Sequence, residues 1–179
     1  MIEEIKRLSV DEIKWLYKEG MYGSFPAGEI KKYAHVKKGV EKGSYYGYGL
    51  YLDGNLSGYA LISCAGKVGL LDYLAVDKSL RGKGYGQKIM AFLSENEPPL
   101  IIEADDPDKS PDEKELEIRK NRIHFYIDKC ACLDSGVKAS VAGFPFVLLS
   151  TREKITSQDY LTVYEAMVPH FILNNLVKV

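Results

Sequence analysis

Residues 70–93 read LLDYLAVDKSLRGKGYGQKIMAFL. An apolar run leads through a short polar turn to three glycines at alternate positions, Gly82, Gly84 and Gly86, and an apolar pattern of helical period follows. The pattern predicts a strand, a glycine-rich loop and a helix. Glycine lets the backbone approach an anion closely. A helix that begins at such a loop directs its unpaired N–H groups and the positive end of its dipole at the anion. The sequence therefore predicts a phosphate-binding loop.

The spacing of the glycines separates this loop from the two common nucleotide-binding motifs. A dinucleotide fingerprint that begins at Gly82 needs a glycine at position 87, where Gln87 stands. A P-loop needs glycine, lysine and then serine or threonine in succession, and that triplet occurs nowhere in the chain. Neither motif is therefore indicated.

The motif that fits is Arg81-x-x-Gly84-x-Gly86, preceded by the strand Leu71–Val76. Together they closely resemble the pyrophosphate-binding motif of the GNAT acetyltransferase superfamily. The resemblance implies acetyl-coenzyme A (acetyl-CoA) as the cofactor. It implies that the loop contacts the pyrophosphate through Arg81, Gly82, Lys83, Gly84, Tyr85, Gly86 and Gln87. It further implies that the strand splays from a parallel neighbour and pairs its backbone with the pantetheine arm and acetyl carbonyl, at Leu74, Ala75 and Val76.

The composition indicates one domain with a small-molecule or protein partner. The chain has 179 residues, 46% hydrophobic and 27% charged, which suffices for one buried core. Lys and Arg number 24 and Asp and Glu number 25, giving a formal net charge of -1, and the lysines are scattered along the chain. The basic footprint of a nucleic-acid-binding protein is missing. We expect no nucleic-acid partner, and a homodimer is left open.

The cysteines and the N-terminal residues indicate a cytoplasmic protein. The three cysteines, Cys64, Cys130 and Cys132, have no metal-site spacing and no even disulfide framework, so we expect reduced thiols and no metal. The opening residues MIEEIKRLS lack the apolar core of a signal peptide, and no stretch approaches the length of a membrane span. We therefore expect no membrane partner.

Two helices and a meander of strands are expected before the loop. The capping-box pair Ser9 and Glu12 opens the first helix. A second helix is expected over residues 26–38, with Pro26 in its first turn, ended by Gly39 and Gly43. Alternating patterns with turns at residues 53–54 and 65–67 then divide residues 45–76 into an antiparallel meander of three strands.

After the loop, the pattern changes between helix and strand several times. The helix behind the loop ends at Pro98-Pro99, and the apolar strand Leu100–Ala104 follows. Because a helix separates this strand from the one ending at Val76, the two are expected to run parallel. Ser110 as N-cap, with Pro111 and Glu113 in the first turn, opens another helix. Two strands and a last helix follow, over residues 137–141 and 146–149 and from Thr156 to a break near Pro169.

This order of elements is the one expected of a GNAT domain, and the resemblance covers roughly residues 9–150. It implies an α/β (α+β) fold with a mixed, mostly antiparallel sheet, a central splayed parallel strand pair and flanking helices. We expect residues 1–179 to form a single acetyltransferase domain with residues 151–179 as a C-terminal helical extension. The segments 71–76, 101–108 and 119–126 together also resemble a recurrent pattern in one bacterial subset of the family.

Acetyl transfer needs a proton donor for the leaving thiolate, and the resemblance implies one. The segment 119–126, RKNRIHFY, resembles the family segment in which an asparagine contacts the cofactor and a tyrosine protonates the coenzyme A sulfur. Asn121 and Tyr126 stand at these positions. A phenol with an ordinary pKa of about 10 is a suitable donor to a thiolate. Core packing is the competing interpretation of Tyr126, since it also lies on the apolar stripe of its helix.

Two carboxylates embedded in apolar strands are candidates for the general base. Asp72 shares a strand face with Leu74 and Val76, and Glu103 lies on the neighbouring strand. A carboxylate in such a position costs free energy unless it is hydrogen-bonded or used. Each could act as a base through water, bind a cationic acceptor, or form a salt bridge with an arginine, Arg119 or Arg122.

One segment departs from the family pattern. The family usually places Gly-Phe four to five residues after the tyrosine, where this chain has Cys130-Ala131. We therefore expect the helix to run longer here.

The resemblance implies an N-acetyltransferase that passes the acetyl group of acetyl-CoA to a primary amine, in a small molecule or a peptide, by direct attack in a ternary complex. Phe25 and Glu29, in the loop after the first helix, and the two carboxylates favour a cationic amine. Two alternatives remain open: a transferase of another acyl group, and a non-catalytic acetyl-CoA-binding or sensor module.

Overall fold

The computed structural model describes residues 2–26 and 29–179. Its helices are α1 to α6, with bounds Val10–Trp15, Tyr33–Lys42, Tyr85–Asn96, Glu113–His124, Ser157–Met167 and His170–Leu176. Its strands are β1 to β8, with bounds Glu3–Arg7, Tyr45–Leu52, Asn55–Ala65, Val68–Val76, Leu100–Asp105, Leu133–Val141, Phe144–Ser150 and Val177–Lys178. The chain forms two compact units, Met1–Cys64 with Leu71–Phe92 and Ala65–Leu70 with Leu93–Val179.

The first unit contains the predicted hairpin of β2 and β3 and one strand that was not predicted. Strands β2 and β3 pair antiparallel from Tyr45–Ser63 to Leu52–Asn55, across a turn in which Asp53 and Gly54 both take positive φ, 49° and 82°. That geometry is typical of two-residue hairpins. Strand β1 pairs antiparallel with β2. Its residues, EEIKR, are almost all polar and exposed, so the sequence contains no apolar alternation that would predict a strand.

The two helices before the meander were predicted, but the bounds of the second were wrong. Ser9 and Glu12 form the expected capping box of α1, which continues into a π-helical turn, Leu16–Gly20. Helix α2 begins at Tyr33, and Gly39 lies inside it. A β-carbon at Gly39 would come within 2.9 Å of the Tyr45 Cβ, so this glycine permits close packing and does not end the helix. Gly43, in the left-handed conformation, ends it.

The second unit contains the parallel strand pair. Gly69 and Leu70 of β4 pair with Leu100 and Ile101 of β5 in parallel, as predicted. Strands β5 and β7, β6 and β7, and β6 and β8 pair antiparallel. Thr156 and Asp159 form a capping box on α5, and the break at Pro169 separates it from α6, as predicted. The two-residue strand β8 was not predicted.

The structure corrects the predicted N-cap of helix α4. Its N-cap is Asp112, whose side chain accepts from the Glu115 N–H, whereas Ser110 ends a preceding 3₁₀ turn. At its C-terminal end the chain stays helical past His124. It passes into a π-helical turn, Phe125–Lys129, and Ala131 then takes a φ of 55°. A non-glycine residue can therefore adopt the left-handed conformation that turns the chain here, although it does so at a cost of about 1–2 kcal/mol.

Each unit has its own buried apolar cluster. In the first unit the cluster consists of Leu8, Ile13, Leu16, Tyr17, Met21, Val36, Val40, Tyr45, Tyr51, Tyr59, Leu61, Tyr73 and Ala75. In the second it consists of Leu70, Ile101, Ala139, Leu148, Ile155, Tyr160, Val163, Tyr164, Leu173 and Val177. The predicted fold class is confirmed, with a mostly antiparallel sheet, one parallel pair and flanking helices. Among the described residues, no helix has both the length and the apolar character needed to cross a membrane.

Candidate active site

The glycine loop begins where β4 ends. Asp77 accepts two hydrogen bonds at Oδ1, from the Ser79 N–H at 2.9 Å and the Ser79 hydroxyl at 2.8 Å, and so caps a short 3₁₀ turn, Lys78–Leu80. Arg81 follows, and its Nε donates to the Val76 carbonyl at 3.4 Å. The loop is thus tied to the end of the strand that precedes it.

The first turn of α3 differs from the first turns of α1, α4 and α5. Gly84 precedes Tyr85, the first helical residue, and a glycine has no side chain with which to cap the helix. The first turn also contains no acidic residue. Side chains of Ser9, Asp112 and Thr156 cap α1, α4 and α5, and each of these helices has acidic residues in its first turn. Helices α2 and α6 also lack a side-chain cap and an acidic first turn, so α3 is set apart by the glycine loop before it. The combination of that loop with an uncapped helix start is suited to an anionic ligand.

The loop conformation depends on two glycines. Gly82 and Gly84 take φ values of 77° and 84°, which other residues adopt with strain. A β-carbon at Gly84 would stand 3.4 Å from the Gln87 Oε1, and one at Gly82 would meet nothing within 4 Å. Both positions need glycine for their backbone angles, while the space beside them is open. Arg81 and Lys83 are exposed in the same loop and add positive charge.

Asp72 lies in the first unit at the centre of a polar network. Its Oδ1 is 2.5 Å from the Lys31 Nζ, and its Oδ2 accepts from the Tyr45 hydroxyl at 2.6 Å. The Asp72 side chain is only 5% exposed. The cation beside it is therefore Lys31, and not Arg119 or Arg122 as one of the alternatives expected.

Two tyrosine hydroxyls extend this network. The Tyr17 and Tyr45 hydroxyl oxygens are 2.6 Å apart. Burial, and then the negative charge of Asp72, raise the pKa of Tyr45 well above its ordinary value. The same two causes raise the pKa of Tyr17. Both phenols therefore stay protonated. Tyr45 donates its proton to the carboxylate, and Tyr17 donates to the Tyr45 oxygen.

The segment that carries Lys31 is fastened to β4 by Tyr73. The Lys31 N–H donates to the Tyr73 hydroxyl at 2.9 Å, and that hydroxyl donates to the Glu29 carbonyl at 3.0 Å. The Phe25 and Tyr73 rings pack edge to face with centroids 5.0 Å apart. Sequence reasoning missed Lys31, because nothing local to a lysine in a loop indicates a carboxylate 41 positions away.

Glu103 lies in the second unit and faces two tyrosines of α5. Its Oε1 accepts from the Tyr160 hydroxyl at 2.5 Å and from the Tyr164 hydroxyl at 2.6 Å. Burial, followed by the Glu103 charge, raises the pKa of both phenols, so they stay protonated and donate. Sequence reasoning missed both tyrosines as partners of Glu103. The spacing of two tyrosines by four residues on a capped helix was the available signal.

The two arginines considered as partners of the strand carboxylates pair with other groups. Arg122 forms an ion pair with Asp105. Arg119 Nε lies 3.2 Å from the Glu115 Oε1, and its NH1 donates to the Asp106 carbonyl at 2.9 Å.

Asn121 and Tyr126 lie on α4 and the turn that follows it. Asn121 is exposed, and its Nδ2 donates to the Glu117 Oε1 at 3.2 Å. Tyr126 is half-buried in the π-helical turn, a kind of irregularity that is frequent at functional sites. Burial raises the pKa of Tyr126 to about 12, against a smaller opposing effect of Arg122. The phenol therefore keeps its proton throughout the neutral range.

The structure groups the predicted residues in two sets. The first unit brings together Asp72, the strand residues Leu74–Val76 and the loop residues 81–87. The second unit contains Glu103, Asn121 and Tyr126, on β5, α4 and the π-helical turn.

Comparisons with known proteins bear on the family and the fold of this chain. The profile of the acetyltransferase (GNAT) family matches residues 8–96, from the start of the first helix to the end of α3. No curated protein matches the sequence significantly.

Solved structures of GNAT proteins share the fold at low sequence identity. A GNAT-family protein from Bacteroides thetaiotaomicron is 17% identical with a TM-score of 0.69, over 91% of this chain and 94% of that one. One from Desulfovibrio desulfuricans is 15% identical with a TM-score of 0.58, over 83% and 98%. The PaiA N-acetyltransferase from Thermoplasma acidophilum, in complex with coenzyme A, is 11% identical with a TM-score of 0.53, over 86% and 100%. At these identities the likeness establishes the fold.

Proposed function

Because residues 8–96 belong to the acetyltransferase (GNAT) family, and the protein is therefore an acyltransferase, we propose that it transfers the acetyl group of acetyl-CoA to a primary amine. The transfer is by direct attack of the amine within a ternary complex, with no covalent enzyme intermediate. The acceptor is a small molecule or a peptide with a cationic amine. The proposed site consists of residues 81–87, Leu74–Val76, Asp72, Glu103, Asn121 and Tyr126.

The observation that carries the proposal is the start of α3. Glycine replaces a capping side chain there, the first turn has no acidic residue, and two preceding glycines take positive φ. Such a helix start fits a pyrophosphate. The coenzyme A bound to the Thermoplasma acidophilum protein, which has the same fold, supports the same ligand for this chain.

Each step of the transfer has a candidate group in this chain. Acetyl-CoA, when bound, supplies the acetyl group as a thioester. The loop residues 81–87 hold the pyrophosphate, the backbone of Leu74–Val76 holds the pantetheine arm, and Asn121 adds a contact. Asp72 or Glu103 receives the proton of the acceptor ammonium. Tyr126, which keeps its proton because burial raises its pKa, donates it to the departing sulfur.

The first test is stabilisation by the cofactor. Acetyl-CoA at about 100 times its Kd should stabilise the folded protein by about 2.7 kcal/mol, because it binds only the native state. For a chain of this size that corresponds to a rise in Tm of about 5–10 °C in thermal unfolding. An unchanged Tm at millimolar acetyl-CoA would contradict the proposed cofactor.

The second test separates the two carboxylates. A general base must be deprotonated, so kcat/KM should fall as the pH drops through its pKa. We expect this acidic limb to disappear in either Asp72→Asn or Glu103→Gln and to persist in the other, so each variant serves as the control for its partner. In both variants an amide oxygen can still accept from the tyrosine hydroxyls. If the limb is unchanged in both, neither carboxylate is the base and the amine arrives deprotonated.

A further inference from the structure

Lys31 places a primary amine directly on a candidate general base. Its Nζ lies 2.5 Å from the Asp72 Oδ1. A cationic acceptor amine that uses Asp72 would make the same contact with its own ammonium. The chain therefore supplies, at this carboxylate, the functional group that the proposed reaction acetylates.

This ion pair differs from the surface pairs of the same unit. The Asp72 side chain is 5% exposed and lies among tyrosines, whereas the Lys37–Glu41 pair on α2 is 3.7 Å apart with both side chains about 60% exposed. An ion pair with one buried member returns little net stability, since desolvation of the charges offsets their attraction. Replacing the whole pair would cost little, but loss of the Lys31 charge alone would leave the buried Asp72 carboxylate uncompensated.

The backbone of Lys31 is held by a hydrogen bond, and its side chain is partly exposed. Tyr73 holds the Lys31 N–H, and the Lys31 side chain is 36% exposed. A strand rises about 3.3 Å per residue, so Leu74 lies about 7 Å beyond Asp72 along β4. The proposed function assigns the backbone from Leu74 to Val76 to the acetyl-bearing arm. Rotation about the four side-chain bonds of a lysine can move its Nζ by a distance of this order.

We propose that Lys31 is an acetylation site of the protein's own reaction, in which the enzyme transfers an acetyl group to Lys31 Nζ within the same chain. Asp72 takes a proton from the ammonium, and the freed Nζ lone pair attacks the thioester carbonyl. The N–C bond forms, the C–S bond breaks, and the sulfur leaves as the thiolate and receives a proton. The products are Nζ-acetyl-Lys31 and coenzyme A. This inference rests on the proposed function.

Acetylation would also change the network around Asp72. An acetylated lysine carries no positive charge, so the ion pair with Asp72 is lost while the hydrogen bond from Tyr45 remains. Asp72 would then be without its internal cation, and the ammonium of a separate acceptor would take the place that the Lys31 charge had held. Lys31 in its free form would compete with that acceptor for the carboxylate.

The test is site-resolved mass spectrometry after incubation with isotope-labelled acetyl-CoA, which marks only the groups added in the assay. We expect Lys31 to be labelled at least about tenfold faster than Lys37, since a positioned amine reacts faster than a free one. Lys37, also paired with a carboxylate but on an exposed helix face, is the internal control for non-enzymatic labelling. In Gly84→Glu and in Asp72→Asn, labelling of Lys31 should fall to the rate of Lys37.

Equal rates at Lys31 and Lys37, or a Lys31 rate that Gly84→Glu leaves unchanged, would overturn the inference. The Tm of the same samples, with and without acetyl-CoA, distinguishes failure of this inference from failure of the proposed cofactor. If the protein is stabilised by acetyl-CoA and Lys31 is not labelled above Lys37, this inference alone fails. If there is no stabilisation, the proposed cofactor fails with it.

Discussion

Replacing Tyr126 with phenylalanine is expected to lower kcat by about 10²- to 10⁴-fold, the usual cost of removing a general acid. The substitution removes one hydroxyl and keeps the ring that is half-buried in the π-helical turn. Folding and the affinity for acetyl-CoA should therefore be nearly unchanged. The loss should appear in kcat at saturating substrates and not in the Kd of acetyl-CoA.

The pH dependence of the wild type provides a control for this prediction. Burial raises the pKa of Tyr126 to about 12, so the phenol remains protonated as the pH rises through the neutral and mildly alkaline range. No alkaline fall in kcat that depends on Tyr126 should occur below about pH 10, two units under that pKa. Full kcat in Tyr126→Phe, with the chemical step rate-limiting, would show that the thiolate leaves without this donor.

Replacing Gly84 with glutamate is expected to raise the Kd of acetyl-CoA by more than about 100-fold, because two effects act on the same loop. The φ of 84° becomes strained, at a cost of about 1–2 kcal/mol for a residue with a β-carbon. The new carboxylate also places negative charge at the helix start that is proposed to hold the pyrophosphate. Isothermal titration calorimetry measures the change directly.

Gly54→Glu is the matched control for strain. Gly54 has a φ of 82° in the β2–β3 turn, and a β-carbon there would meet nothing within 4 Å. This variant should lose a similar amount of stability and bind acetyl-CoA as the wild type does. Wild-type affinity in Gly84→Glu would show that the glycine loop does not hold the cofactor.

The parts of the fold that could be predicted are those with local causes. The capping boxes of α1 and α5 each lie within four residues, and the sequence of the glycine loop determines its turn chemistry. The hairpin at Asp53-Gly54 likewise follows from two residues that tolerate positive φ. Local rules failed where close packing decided the outcome. Gly39 looks like a helix terminator in sequence, yet it lies inside α2 because Tyr45 packs against it.

The surroundings of the site could not be predicted, because its contacts join distant positions. Asp72 and Glu103 stood out in sequence as carboxylates within apolar strands. Their partners, however, lie 41 and 27 residues from Asp72, and 57 and 61 residues from Glu103. Because distant contacts leave no local signal, Arg119 and Arg122, which belong to the motif segment 119–126, were considered as partners in place of Lys31.

Amine-dependent release of coenzyme A thiol from acetyl-CoA, with mass spectrometry of the acetylated amine, is the most direct test of the proposed transfer. The panel consists of polyamines, aminoglycosides, amino acids and N-terminal peptides. Lys31→Gln, which has neither the amine nor its charge, is assayed beside the wild type to remove any thiol released by labelling of Lys31. We expect at least one cationic amine to accelerate the release of thiol. Its acetylated product should form in an amount equal to that of the thiol released. Binding of acetyl-CoA with no amine-dependent thiol release across the panel would contradict the proposed transfer and favour a module that binds acetyl-CoA without turnover.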